Sequence, residues 1–238
     1  MKKILQNLFN FFGYSLIKKK NFEKLYRTLD QSIKYLIKKD NPIIFDVGAH
    51  TGETIERFRK LYNKSIIHSF EPQVDSFQKL KKFSNDKTVL NNFALGEKSE
   101  IKKFYINKND STSGFYKFTD KMFADHNNYS KDIQIKTLDQ YVEERNVENI
   151  DILKIDVQGY EDNVLKGAIK TLTNKIKILE LEIIFIDYYE KKSSFYNLES
   201  IIKPLGFELY TISSPVLDES GDRLKWLDAI YISNKFFK

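Results

Sequence analysis

The stretch IIFDVGAHTGETIERFRKL, residues 43–61, decides the fold. Ile43 to Val47 is a short apolar run of strand type. Gly48-Ala49-His50-Thr51-Gly52 is a glycine-bounded turn, and apolar residues at helical spacing follow from Glu53 to about Leu61. A second apolar run, Ser65 to Phe70, ends at Glu71, nineteen residues beyond Gly52. Strand, glycine turn, helix, strand and strand-end acid form the nucleotide-binding half of an open α/β sheet. Glycines let the backbone approach the ligand, and the acid reaches ribose hydroxyls.

The spacing also discriminates among nucleotides. A dinucleotide site needs glycines that bare a helix N-terminus for a pyrophosphate. Here the pattern is D-x-G-x-x-x-G from Asp46, with His50 in place of the middle glycine, and Glu53 in the first helical turn would repel a phosphate. An adenosine ligand that carries positive charge and no phosphate suits the turn better. S-adenosylmethionine has a sulfonium, an ammonium and a ribose for Glu71, and the turn from Gly48 to Gly52 is where the backbone approaches it.

Outward from this unit, strand and helix signals alternate. A helix is expected from Pro72 to about Phe83, strands at Thr88–Phe93 and 101–106, and an irregular, aromatic-rich stretch from Asn107 to Lys131. A stretch that long inside a compact domain reads as a lid or as an ordered insertion. Thr137 and Gln140 form a T-x-x-Q capping signature for a helix to Arg145. Strands follow at 151–155 and 176–186, helices at about 161–172 and 194–202, and a final strand pair at 207–212 and 226–232. The alternation predicts a mostly parallel sheet with one antiparallel strand.

Ligands of such sheets sit beyond the carboxyl ends of the strands. Glu71, Asp156 and Glu182 fall there. Lys154 and Asp156, two apart, project to one side of their strand. Asp156 is read as the group that orients or deprotonates an acceptor hydroxyl; the alternative is a helix cap paired with Lys154. Glu182 is read as facing the same cleft; Glu180 lies beside it in the same long apolar run, and one of the two is read as an exposed strand residue. His50 is either a base or cofactor contact or turn punctuation, and His68 is a packed residue with a satisfied hydrogen bond.

With 238 residues and 41% hydrophobic content, the chain can bury one sizeable core. The absence of cysteine excludes disulfide scaffolds and thiolate zinc sites and fits a cytoplasmic setting. Three histidines without H-x-x-x-H spacing predict no histidine metal site. Residues 1–40 hold ten Lys/Arg against three Asp/Glu, whereas the remainder holds 29 against 30. That neutral body argues against a nucleic-acid substrate. The chain thus divides into a basic extension (1–40) of two amphipathic helices and a catalytic domain (41–238). The first helix carries Ile4, Leu5, Leu8, Phe9, Phe12 and Leu16, the second Leu25, Leu29, Ile33, Leu36 and Ile37. These stripes either pack on the sheet or, with Lys2, Lys3 and Lys18 to Lys20, bring residues 1–20 to an anionic membrane as a peripheral contact.

DVGAHTG (46–52), FEP (70–72), NFALG (92–96), TLD (137–139), ILKIDVQGYE (152–161), LEIIFIDYYE (181–190), PLGFELY (204–210) and LDAIYI (227–232) together resemble the FkbM-type methyltransferases. The resemblance spans about 43–232. It implies a Rossmann-like class I fold with a seven-stranded sheet, S-adenosylmethionine as cofactor, and O-methylation of a sugar, glycan precursor or related small molecule. An N-methyltransferase, or a binding module that kept the fold, is the alternative. Asp46, Gly48, Ala49, His50 and Gly52 then match the cofactor loop, Glu71 the ribose acid, Asn92 and Ala94 the segment beside the adenine, and Asp156, Gln158 and Glu161 the catalytic-side loop. His50 stands where the family usually has Asn, and Gln158 where it often has Glu. The second departure shifts catalytic weight onto Asp156.

Overall fold

The computed structural model describes residues 2–13, 27–119 and 127–237. The principal sheet is built from β1 (Ile43–Val47), β2 (Ile66–Phe70), β3 (Thr88–Asn91), β7 (Ile150–Ile155), β8 (Ile176–Ile184), β9 (Phe207–Ile212), β10 (Val216–Leu217) and β11 (Leu224–Ser233). Its order is β10-β11-β8-β7-β1-β2-β3, with β9 also on β11. Strands β3, β2, β1, β7 and β8 run parallel, and β11 lies antiparallel to β8 and β9. The expected seven strands and single reversed strand are present, and the two-residue β10 is added at the edge of β11.

The central strands are mostly apolar because both faces are covered. Phe45, Val47, Leu153, Ile155, Leu179 and Leu181 fill one buried cluster. Their alternates Ile44, Ile152 and Ile178 join Ile33, Ile55, Phe58 and Leu80 in the other. The second face is closed by α2 (Leu29–Leu36), α3 (Glu53–Leu61) and α4 (Val74–Leu80). His68 follows its expectation: it stacks 4.6 Å from Phe45, and its Nδ1 lies 2.8 Å from the Tyr141 hydroxyl.

A three-stranded sheet of β4 (Ala94–Leu95), β5 (Glu100–Asn107) and β6 (Asn127–Lys136) forms an outrigger, ordered β4-β6-β5. β6 corrects the reading of 107–131 as irregular throughout, since residues 127–131 already pair with β5. Ile133 and Ile135 point inward and their neighbours outward, a half-buried strand whose sequence is mostly polar.

The helix expected over 161–172 is two, α6 (Glu161–Lys166) and α7 (Ile169–Lys175). They break at Gly167, where a Cβ would come 1.9 Å from the carbonyl oxygen of Gly96. The Asp139 carboxylate then caps α7, accepting hydrogen bonds from the Lys170 and Thr171 amides and the Thr171 hydroxyl at 2.6–3.0 Å. Asp139 belongs to α5 (Leu138–Glu144). There Thr137 accepts from the Gln140 amide as the capping signature predicts. The Gln140 side chain, however, is engaged with Ser99 and Glu144. The reciprocal box forms instead at Thr28 and Gln31, at the start of α2.

The leading segment is split in behaviour. Ile33 and Ile37 are buried in the second cluster, so α2 is docked on the sheet. In α1 (Lys2–Phe11) Leu5, Phe9 and Phe11 are exposed, as is Phe12 just beyond it. Leu16, Lys18 to Lys20 and Leu25 lie outside the described residues. No helix among the described residues is long and apolar enough to cross a membrane.

Candidate active site

The parallel order reverses between β1 and β7: β1 continues outward to β2, β7 to β8. Crevices at such switch points are where these sheets hold ligands. The β1 exit turns at Gly48, with φ +88°, and its amide and that of Ala49 both donate to the Phe70 carbonyl at 3.0 and 3.1 Å. The next strand leaves beside it, the Asp156 amide donating to the Val47 carbonyl at 3.0 Å. His50 is left-handed (φ 46°), which aims its amide at Glu71 Oε2, 2.8 Å away. Glu71 Oε1 accepts from the Gln73 amide at 2.7 Å. The strand-end acid therefore ties the turn through one oxygen and its own β2 exit through the other. Burial pushes its carboxyl up to about 8, against the pull of these two hydrogen bonds.

A cavity of about 790 Å³ opens over these exits. Of the residues singled out in the sequence, Gly48, Ala49, His50, Glu71, Ala94, Asp156 and Glu182 line it, as does Gln158. Asp46, Gly52, Asn92 and Lys154 do not, and each has a supporting position instead. Gly52 begins α3 with φ +106° under the Phe83 ring. The Asn92 amide clamps the carbonyls of Glu71 and Pro72 at 2.9 and 3.2 Å. Asp46 is wholly buried, and neither of its oxygens has a hydrogen-bond partner among the described residues. Burial pushes its carboxyl up to about 7, with Lys154 pulling the other way.

The second wall is a polar cluster. Lys154 Nζ lies 2.9 Å from Asp156 Oδ2. Gln158, left-handed at φ 57°, donates from Nε2 to Asp156 Oδ1 at 3.1 Å and Glu182 Oε2 at 3.2 Å, and its Oε1 accepts from the Tyr189 hydroxyl at 2.7 Å. Glu161 Oε1 fixes the loop by accepting from the Val157 and Gly159 amides at 3.1 and 3.0 Å. Burial would raise the Asp156 carboxyl, but the Lys154 ammonium, joined by hydrogen bonds from Lys154, Gln158 and Glu182, outweighs it and holds Asp156 below the usual range. Burial, reinforced by the Asp156 charge, pushes Glu182 well above it. Two carboxyl groups with opposite shifts, bridged by one amide, make a proton acceptor beside a protonated acid.

Lys154 pairs with Asp156 as one of the two readings had it, whereas α6 has no side-chain N-cap, so Asp156 is not its cap. Glu182 faces the cavity. Glu180 corrects the alternative reading of an exposed strand residue: it is buried and bidentate with Arg57, at 2.6 and 3.3 Å. Arg57 in turn meets Asp30 of α2 at 2.6 Å. In register across β1, β7 and β8, Asp46, Lys154 and Glu180 form one row. Burial alone would lower the Lys154 ammonium; Asp156, Asp46 and Glu180 raise it instead, so it stays charged.

Replacing Lys154 by methionine removes the charge that keeps Asp156 ionised. The acid limb of a pH–rate profile is expected to move up by about 2 pH units. An unmoved limb would show that Lys154 does not tune Asp156. Asp46 has a different consequence. Its folded pKa is about 7 against an ordinary 3.8. Its contribution to stability is therefore complete below about pH 4 and is lost as pH rises through 7. Asp46→Asn removes that loss, and melting curves should show it gaining about 5 °C over the parent at pH 8 and little at pH 4.

Three features of the site had no sequence signal. The segment after β5 folds back over the cofactor loop, placing Asp110 Oδ1 3.0 Å from His50 Nε2, with Lys79 on the other carboxylate oxygen at 3.2 Å. Phe118 stacks on Tyr189 at 4.9 Å, and Tyr188 sits 6.3 Å from Trp226, so aromatic rings line the outer part of the cavity. The aromatic richness of 107–131 was the one visible hint. Of those residues, 120–126 lie outside the described structure.

The methyltransferase FkbM domain model matches residues 46–209, more than half of the chain and most of the residues that line the cavity. The chain belongs to the FkbM methyltransferase family. The 2-O-methyltransferase NoeI of Sinorhizobium fredii (strain NBRC 101917 / NGR234) is 24% identical over 155 residues, which take in 60% of this chain and 64% of NoeI. The crystal structure of methyltransferase FkbM from Methylobacillus flagellatus KT superposes with a TM-score of 0.55 at 14% identity, covering 90% of this chain and 50% of that one. The chain thus spans about two-thirds and half of these relatives' lengths, and the likeness to the crystal structure is one of fold. Membership implies the class I methyltransferase fold seen here and S-adenosylmethionine as its cofactor. The cavity fits that group: a glycine at the closest backbone approach, an acid at the β2 exit, apolar Phe70 and Leu95, and acidic groups toward a cationic sulfonium.

Proposed function

We propose that the chain is an S-adenosylmethionine-dependent O-methyltransferase acting on a hydroxyl of a sugar or glycan precursor. The observation that carries the reading is the Asp156–Lys154 pair, an ionised carboxylate on the wall of the cavity next to the Gly48 turn. In its support, the matched region of NoeI belongs to a protein named a 2-O-methyltransferase.

The Gly48-Ala49-His50 backbone and Glu71 would hold the cofactor's polar parts, and Ala94 and Leu95 would flank its base. When bound, the cofactor supplies a methyl group made electrophilic by the sulfonium. What the chain must add is alignment and removal of one proton. Asp156 Oδ1 and Oδ2 are held in place by Gln158 and Lys154, so a hydroxyl entering from the outer cavity meets an oriented acceptor. Glu182, whose carboxyl burial and the Asp156 charge push upward, is disfavoured as a second negative charge beside Asp156. Tyr188, Tyr189, Phe118 and Trp226 give the outer cavity flat apolar faces suited to the C–H faces of a sugar ring, with Lys225 and Glu219 for its hydroxyls.

The test is calorimetric titration with S-adenosylhomocysteine, with NAD as control, followed by methyl-transfer assays on saccharide and amine acceptors. Micromolar binding of the first ligand alone and transfer to a saccharide hydroxyl are expected. Absence of binding would overturn the enzyme reading, and transfer to amines alone would overturn the choice of oxygen.

A further inference from the structure

The first helix is unlike every other element of the chain. Leu5, Phe9 and Phe12 fall on one side of α1 at helical spacing, with exposures of 45%, 39% and 65%, and Phe11 beside them is 82% exposed. Among the α1 residues whose side chains are described, none belongs to either buried cluster, although α2, the next described helix, contributes Ile33 and, just past its end, Ile37. Four large apolar side chains on one short helix would ordinarily be covered.

We infer that α1, together with the outward surface of α2, docks on an anionic lipid surface. Charge selects the occupant. Residues 2–13 contain no acidic residue, and the segment 1–40 holds ten basic against three acidic residues while the remainder is nearly neutral. A second copy of so basic a segment would be repelled. A nucleic acid would leave the apolar face without a role. A bilayer with acidic headgroups satisfies both properties, taking the apolar arc into the acyl boundary and the cations at the headgroup level.

The second helix supplies a matching polar surface. Lys34, Tyr35 and Lys38 are exposed on α2 and its C-terminal extension. The Arg27 guanidinium lies 3.8 Å above the Tyr35 ring and Lys38 Nζ 5.4 Å from it, so cations are gathered around an aromatic residue of the kind found at membrane interfaces. Beside them a recess of about 440 Å³ is lined by Lys34, Lys38, Lys39 and Lys60, with Asp40 the one acid in its wall. A phosphate-bearing headgroup matches that lining. Docking through these helices would bring the enzyme to lipid-linked acceptors without using any residue of the cavity, so it stands or falls separately from the catalytic reading.

Co-sedimentation of the full chain with vesicles tests it. Vesicles of phosphatidylcholine with roughly a third phosphatidylserine should pellet the protein at low salt, and neutral vesicles should not; added salt should release it. Phe9→Asp with Phe12→Asp should cut partitioning at least about tenfold, with the melting temperature and S-adenosylhomocysteine affinity unchanged. Lys34→Glu with Lys38→Glu should also cut it at least about tenfold, since each cation near such a surface is worth roughly fivefold. Equal pelleting with neutral vesicles, no pelleting at low salt, or full binding by the Phe9/Phe12 variant would overturn the inference. So would a lowered melting temperature in that variant, which would mean that α1 packs on the body. A light-scattering dimer that the variant dissociates would likewise overturn it, assigning the face to a second copy.

Discussion

Gly48→Ala is expected to abolish cofactor binding. A Cβ at Gly48 would lie 1.8 Å from the carbonyl oxygen of Asp156 and 2.9 Å from its carbonyl carbon. No rotamer relieves this overlap, because both atoms are backbone at the exits of paired strands. The residue also sits at φ +88°, a conformation that costs an L side chain about 1–2 kcal/mol by itself. The exits of β1 and β7 must therefore separate, which moves the cofactor turn and Asp156 together. S-adenosylhomocysteine affinity should fall at least about a hundredfold and the melting temperature by several degrees. Calorimetry and thermal melts check both, and near-parental binding would mean that the turn is not the cofactor cradle.

Asp156→Asn separates chemistry from binding. The amide keeps the side chain's size and one acceptor oxygen, which can serve Lys154, while the bond from Gln158 Nε2 is lost and Gln158 stays held by Tyr189 and Glu182. What is lost is the proton acceptor. Turnover should drop by about 10²–10⁴-fold, with S-adenosylhomocysteine affinity within about threefold of the parent. Glu182→Gln, which replaces a carboxyl that burial pushes well above its ordinary range, should cost far less at neutral pH. The double variant should be less impaired than the product of the two, because both act through the Gln158 bridge. Unchanged turnover in Asp156→Asn would move the base elsewhere in the cavity.

Much of the site's frame is legible from residue order. Val47 to Gly52 reads as a strand exit and turn because a five-residue apolar run and two glycines are local signals, and β1 and α3 fall at the expected boundaries. Asp156 and Glu71 are found because strand ends in a parallel sheet face one crevice whatever the side chains are. The expectations that changed are those in which a distant group decides. A single helix over 161–172 is locally reasonable, and it breaks because Gly96 approaches Gly167 and Asp139 caps the second half. Residues 127–131 lack an apolar pattern, and they become strand because β5 offers a partner edge. Glu180 looks exposable beside Glu182, yet Arg57, 123 positions earlier, neutralises it inside the fold.

By itself the sequence determined the alternation of buried strands and amphipathic helices, the glycine turn after β1, and which acids stand at strand ends. These follow from side-chain period and backbone freedom, properties of a few consecutive residues. Only the tertiary structure decided what those acids are. Glu71 ties the turn through one carboxylate oxygen and the β2 exit through the other, Gln158 bridges Asp156 to Glu182, and Asp110 reaches across to His50. Whether a carboxyl is ionised depends on burial and on charges within a few ångströms, and those neighbours, Lys154 apart, come from segments far away along the chain.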